Sequence, residues 1–289
     1  MYKNILNKNL LLIAVLFISS ITACASHPKL STEKAYRTAT IHFLDVGQGD
    51  STLFSLPSGE TILVDAGGPS AGPKVTGYLK DLGISRIDHL IFTHPHDDHI
   101  GGIFSIMKEF DVISIHDNGF SNSDSKIYKE YISLIKKDPS IYNILQTGTS
   151  LIFGDVSIEV LNPRPPPTGK QNRDSIVMKV NYGNINVFMA GDMESKGERD
   201  LLKTSPDITS RILKVSHHGD RDSTSDEFLK SLNPEIAIIS VGKANIYARP
   251  HQEVLRRLNS AGSRVYRTDI NGDIIMKTDG KGYTIITAK

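Results

Sequence analysis

Phe92–Gly102 reads FTHPHDDHIGG, which crowds three histidines and two aspartates ahead of a glycine pair. Imidazole and carboxylate without thiolate suit zinc and similar divalent ions. His94 and His96, two residues apart on an extended segment, can point the same way and share one ion. Asp98 and His99 come from the turn that follows and can face a second. Two ions about 3.5–4 Å apart need a carboxylate between them. Asp192, in VFMAGDM, is the natural bridge.

These side chains need a rigid mount. Ile87–Phe92 is apolar and free of breakers, so it is read as a strand, with the motif where the strand ends and a helix following from about Ile100. Three further clusters share that setting: Asp65 in ILVDAGG, Asp192 after Ile185–Ala190, and His217 and His218 after Ile212–Ser216. Parallel strands ending together would bring all four clusters to one rim. Other expected strands are Ala39–Val46, Ser51–Leu56, Thr61–Val64, Val112–His116, Leu151–Phe153, Val156–Leu161, Ser175–Asn181, Ile236–Ser240, Arg264–Arg267 and Asp273–Lys277. Helical patterns cover Ala71–Leu82, Gly102–Phe110, Ser125–Lys137, Ser195–Leu202, Asp226–Leu232 and Gln252–Ala261. Two β-rich halves that each carry helices imply two sheets face to face with helices outside. NPRPPPTGKQNRD, Asn162–Asp174, is read as a long loop over the site.

The chain has 289 residues, with 33 Lys plus Arg against 32 Asp plus Glu. Residues 1–23 hold Lys3 and Lys8 and no acid, so the remainder has 31 against 32. A near-neutral body lacks the field of a dedicated nucleic-acid coat. Lys3, Lys8 and the apolar run Leu10–Ile21 read as a targeting segment, too short to span a bilayer. The one cysteine, Cys24, follows at once in ITACAS. This arrangement resembles a bacterial lipoprotein signal, with Cys24 as the acylated first residue after cleavage; the alternative is an ordinary secretory signal. Residues 24–37 read as a polar tether. The protein is thus expected to be an exported lipoprotein, held at the cell membrane or outer membrane with its domain outside the cytoplasm.

His94-x-His96-x-Asp98-His99 resembles the signature of the metallo-β-lactamase-fold hydrolases. FLDVGQGDS, LVDAGG, THPHDDHIGG, AGDME, LKVSHHG and YRTDINGD, in that order, resemble the extracellular hydrolase-like domain of ComEC competence proteins. The resemblance implies that residues 38–289 form an α+β domain, an αββα sandwich with a dinuclear site on one edge. It implies His94, His96, Asp98, His99 and Asp192 as ligands of two divalent ions, zinc or manganese. His217 or His218 would be the last ligand; His217 is taken as that ligand and His218 as lying near substrate, with Asp98 and His218 as the catalytic pair. Asp65 would hold the histidine loop through hydrogen bonds. Two departures stand out. KQNRDS offers only Asn172 and Asp174 where many relatives carry a further histidine, which leaves the first metal site open. NIYARPH has Arg249 where His-Pro is usual, with His251 one step beyond. Asn172, Arg249 and His251 are therefore candidate substrate contacts, and a solvated Arg249 is the alternative.

A bridging Asp192 matches phosphodiesterase, nuclease and lactonase branches, whereas β-lactam-cleaving branches lack that carboxylate. The expectation is a metal-dependent hydrolase of a phosphodiester, with DNA or an oligonucleotide among the substrates. The rival is a lipid-anchored, non-catalytic module that binds nucleic acid or a partner for DNA uptake.

Overall fold

Alternation along the strands divides the apolar residues between layers. The computed structural model describes residues 38–120, 123–205, 207–243 and 245–289. The expected leader, Cys24 and the tether lie outside them. Among the described residues, one sheet runs in the order Tyr283–Thr287, Ile274–Thr278, Ala39–Phe43, Thr52–Ser55, Thr61–Val64, His89–Ile91, Ile115–Asp117, Tyr142–Ile144. The other runs Arg264–Arg267, Ile236–Ile239, Ile212–Lys214, Ile185–Met189, Val177–Tyr182, Val156–Asn162, Ser150–Phe153.

Phe43, Phe54, Ile62 and Ile91 of the first sheet meet Ile158, Met178, Val187 and Ile238 of the second in one buried layer. The opposite face of the first sheet, with Leu53, Leu63 and Leu90, packs on Val75 and Leu79 of helix Gly72–Asp81 and on Ile103 and Ile106 of helix Ile103–Glu109. Phe188, Leu213 and Ala237 on the outer face of the second sheet pack on Phe228, Val254 and Leu258 from helices Asp226–Leu232 and Gln252–Ser260. Helix, sheet, sheet, helix is the αββα order expected from the sequence.

Thr61–Val64, His89–Ile91 and Ile115–Asp117 run parallel. So do Ile185–Met189, Ile212–Lys214, Ile236–Ile239 and Arg264–Arg267. Their carboxyl ends release Asp65, His94, Asp192 and the His217–His218 pair. Several boundaries differ from expectation. Ile87–Phe92 is broken at Asp88, whose Oδ2 accepts the Thr61 N–H at 2.9 Å; Arg86–Ile87 pairs separately with Asp111–Val112. The helical turn begins at Asp97, not Ile100, so Asp98 and His99 project from a helix. The edge strands Tyr142–Ile144 and Tyr283–Thr287 were not foreseen.

Candidate metal centre

His94 follows Thr93, which is anchored from two sides. The Thr93 N–H donates to Asp65 Oδ1 at 2.8 Å, its hydroxyl donates to Asp65 Oδ2 at 2.9 Å, and its carbonyl accepts the Ile176 N–H at 2.8 Å. Asp65 Oδ2 also lies 2.8 Å from His99 Nδ1. One buried carboxylate therefore orients both ends of the histidine loop, and Nε2 of His99 is left to face the site. Gly102 allows the close approach beneath: a Cβ there would meet Ala66 O at 2.1 Å.

Asp192 Oδ2 stands among four imidazoles. It is 3.6 Å from His94 Nε2, 3.4 Å from His99 Nε2, 3.7 Å from His217 Nε2 and 3.8 Å from His218 Nε2. Three sets of donor atoms, each within 4.8 Å of one another, could hold an ion: His94, His96 and Asp192; Asp98, His99 and His218; and Asp50, Asp65 and His99, of which the last has its carboxylates engaged by Lys214 and Thr93. Among the described residues His99 Nε2, His218 Nε2 and Asp192 Oδ1 are buried with no hydrogen-bond partner. Orphaned nitrogen and oxygen atoms converging in this way fit a divalent cation.

The electrostatics agree with that fit. Burial alone would lower the His99 imidazole, but Asp192, Asp65 and Asp98 outweigh it and hold it well above its usual value. Burial opposes protonation of His218 as well, yet Asp192 and Asp50 raise it to about 10. His94 goes the other way, lowered by burial and by the neighbouring His99 charge. The cluster of buried carboxylates favours positive charge among them, which a divalent cation would supply.

The adjacent pair His217 and His218 departs from the sequence expectation. Both have left-handed backbones, φ 50° and 55°, so their rings diverge. His218 is fully buried, its Nδ1 donates to Ser240 O at 3.0 Å, and its Nε2 lies 3.3 Å from Asp98 Oδ2. His217 Nε2 instead accepts from Arg249 Nη2 at 2.9 Å and from Asn172 Nδ2 at 3.4 Å. The geometry thus groups His218, not His217, with Asp98 and His99.

Arg249 and Asn172 line a cleft of about 740 Å³ with His96, Asp98, Asp192, His217 and Tyr247. Arg249 Nε donates to Asp220 Oδ2 at 2.8 Å, so this arginine is not a solvated one. His251 does not line the cleft: its Nδ1 accepts the Arg221 N–H at 3.1 Å, ahead of helix Gln252–Ser260. Asp174 is likewise spent on its own loop, accepting from the Thr168 N–H and hydroxyl and the Gly169 N–H.

Sequence reasoning passed over Asp50 and Lys214. Lys214 is 1% exposed, and its Nζ lies 2.6 Å from Asp50 Oδ2. Asp50 Oδ1 is 3.5 Å from His218 Nδ1. A lysine inside the apolar run ILKV was the available signal, since such a charge is not buried unpaired.

The family model of the metallo-beta-lactamase superfamily matches residues 44–243. The chain belongs to that superfamily. It is 33% identical over 268 residues to ComE operon protein 3 of Bacillus subtilis (strain 168), covering 86% of this chain and 33% of the relative. It is 30% identical over 242 residues to Recombination protein 2 of Haemophilus influenzae, covering 82% and 28%. The chain therefore spans about a third of the length of these relatives. The metallo-beta-lactamase fold protein YhfI from Bacillus subtilis superposes with a TM-score of 0.55 at 14% identity, over 84% of this chain and 100% of that one, a likeness of fold.

Proposed function

We propose that the chain is a phosphodiesterase that works with two divalent ions, zinc or manganese, on DNA or oligonucleotides. The carrying observation is the single carboxylate oxygen of Asp192 set among four imidazole nitrogens, between two donor sets. His94, His96 and Asp192 would hold the first ion; Asp98, His99 and His218 would hold the second, with Asp192 shared. Ions in such a site supply Lewis acidity and a water acidic enough to attack near neutral pH. The chain's own groups do the rest. Asp65 and Ser240 keep the His99 and His218 rings aimed inward. Arg249, fixed by Asp220 and His217, has further guanidinium donors left for phosphate oxygens in the cleft. A nucleic-acid substrate is supported by the likeness to a relative named for recombination and by the resemblance to competence proteins.

Outside the described residues, the proposal includes acylation of Cys24 and attachment at the membrane. Cys24→Ala should leave uncleaved precursor and abolish partitioning into detergent; a freely soluble wild-type mature protein would rule the anchor out.

The enzymatic proposal is tested by hydrolysis of bis-p-nitrophenyl phosphate across a titration with Zn²⁺ or Mn²⁺, wild type beside Asp98→Ala. Metal-dependent turnover lost in the variant is expected. Equal, metal-independent rates reject the proposal for this substrate class. One observation favours the binding module instead: Arg249 and Asn172 already occupy His217 Nε2, which leaves the first donor set with three members. Retained DNA binding without turnover would support it.

A further inference from the structure

Tyr247, which lines the cleft, is 51% exposed, and Ile246 before it in the chain is 90% exposed. Isolated apolar residues on a surface need no explanation. This pair differs because its backbone is stapled and its aromatic ring is mounted. Asn245 Nδ2 donates to Gly242 O at 2.9 Å and to Arg249 O at 2.8 Å, while Asn245 Oδ1 accepts the Arg249 N–H at 2.8 Å. One side chain so closes the base of the loop and projects its tip. The Arg249 guanidinium lies 4.6 Å from the centroid of the Tyr247 ring, a cation–π distance. That guanidinium is itself held by Asp220 and His217 and is 10% exposed. The ring is therefore positioned on a fixed charge that also reaches the reacting end of the cleft.

We propose that Tyr247 is a stacking platform for an unpaired nucleobase, and that it directs the site to single-stranded nucleic acid. The proposal rests on the phosphodiesterase reading for the position of the phosphate, which would sit toward Arg249, His217 and Asp192. A base one sugar away from that phosphate can then lie over the tyrosine. Bases inside a duplex have both faces covered by neighbours, whereas an unpaired base offers a face to an aromatic side chain. Stacking is tolerant of sequence because every base has such a face. A near-neutral chain, without a strong overall field for nucleic acid, gains from a contact of this kind.

The test uses a short single strand with phosphorothioate linkages and one 2-aminopurine, in Mn²⁺, against wild type, Tyr247→Phe and Tyr247→Ala. Wild type and Tyr247→Phe should quench the 2-aminopurine emission and bind more tightly than they bind the matching duplex. Tyr247→Ala should lose the quenching and bind roughly 5- to 150-fold more weakly, the scale of one stacked base. On the same strand with abasic sites the three proteins should bind alike. Quenching unchanged in Tyr247→Ala, an equal loss on the abasic strand, or no binding by wild type overturns the platform. Cleavage of the ordinary phosphodiester strand is scored separately. Cleavage without quenching removes the platform and leaves the hydrolase; quenching without cleavage leaves the platform and removes the hydrolase.

Discussion

Strand His89–Ile91 begins with one histidine and runs out into three more, and the two ends have opposite electrostatics. At its start, between the sheets, His89 Nδ1 lies 3.0 Å from His116 Nε2, and Ser114 Oγ is 2.9 Å from each. Burial, and then the neighbouring His89, lowers His116 to about 4. His89 is lowered by burial too, with Asp88 and Glu60 only partly offsetting it. Beyond the far end of the strand, His99 is held well above its usual value and His218 at about 10, because Asp192 and its fellow carboxylates are buried beside them. Close imidazoles by themselves thus make a neutral, hydrogen-bonded packing unit. Buried carboxylates with orphaned oxygens turn the same residue type into a site that calls for a cation.

If that contrast is right, removing the central carboxylate has the largest effect. Asp192→Ala should lower bound metal from about two ions to one or none and reduce hydrolysis at least ~100-fold, more than loss of an outer hydrogen-bonding partner causes. Elemental analysis beside activity checks it, and a full complement of metal in the variant would break the contrast.

The next effect falls on stability. Lys214→Met leaves the buried Asp50 carboxylate without its lysine and with only His218 Nδ1, 3.5 Å away, which should cost about 3 kcal/mol in denaturant unfolding, the low end for a broken buried pair. Lys214→Met with Asp50→Leu should recover most of that loss, because both charges are then gone. Equal destabilisation in the single and double variants would mean that the pair matters for packing and not for charge.

The smallest effect sharpens the contrast from the other end. His89→Gln with His116→Gln should leave bound metal unchanged. His116 titrates near 4 folded and near 6.5 when released, so the unfolded chain takes up the extra proton across that window. Stability should therefore fall as pH drops from about 6.5 toward 4, and His116→Gln should lose less stability between pH 7 and pH 4.5 than wild type does. Only part of the loss is expected to vanish, since His42 is also lowered to about 4, by burial first and then by Lys277.

What the sequence determined by itself was local. His94, His96, Asp98 and His99 lie within six residues, so spacing alone puts them on one loop, and a strand before them and close-packed glycines after them leave little freedom. Most strands and helices were legible because alternation and helical spacing sort apolar residues between the layers, and the sandwich follows from that sorting. The edge strands Tyr142–Ile144 and Tyr283–Thr287 escaped because none of their residues is fully buried, so no continuous apolar face marks them. Tertiary structure decided the rest. Which of two adjacent histidines joins Asp98 depends on a left-handed turn at His217 and His218, and a periodicity argument has no access to those backbone angles. The Lys214–Asp50 pair joins residues 164 positions apart, and Arg249 meets His217 across 32. The first contact exists only once the two sheets have closed on each other, and the second only once neighbouring strands of one sheet have paired, so residue types could nominate these groups and only tertiary structure could pair them.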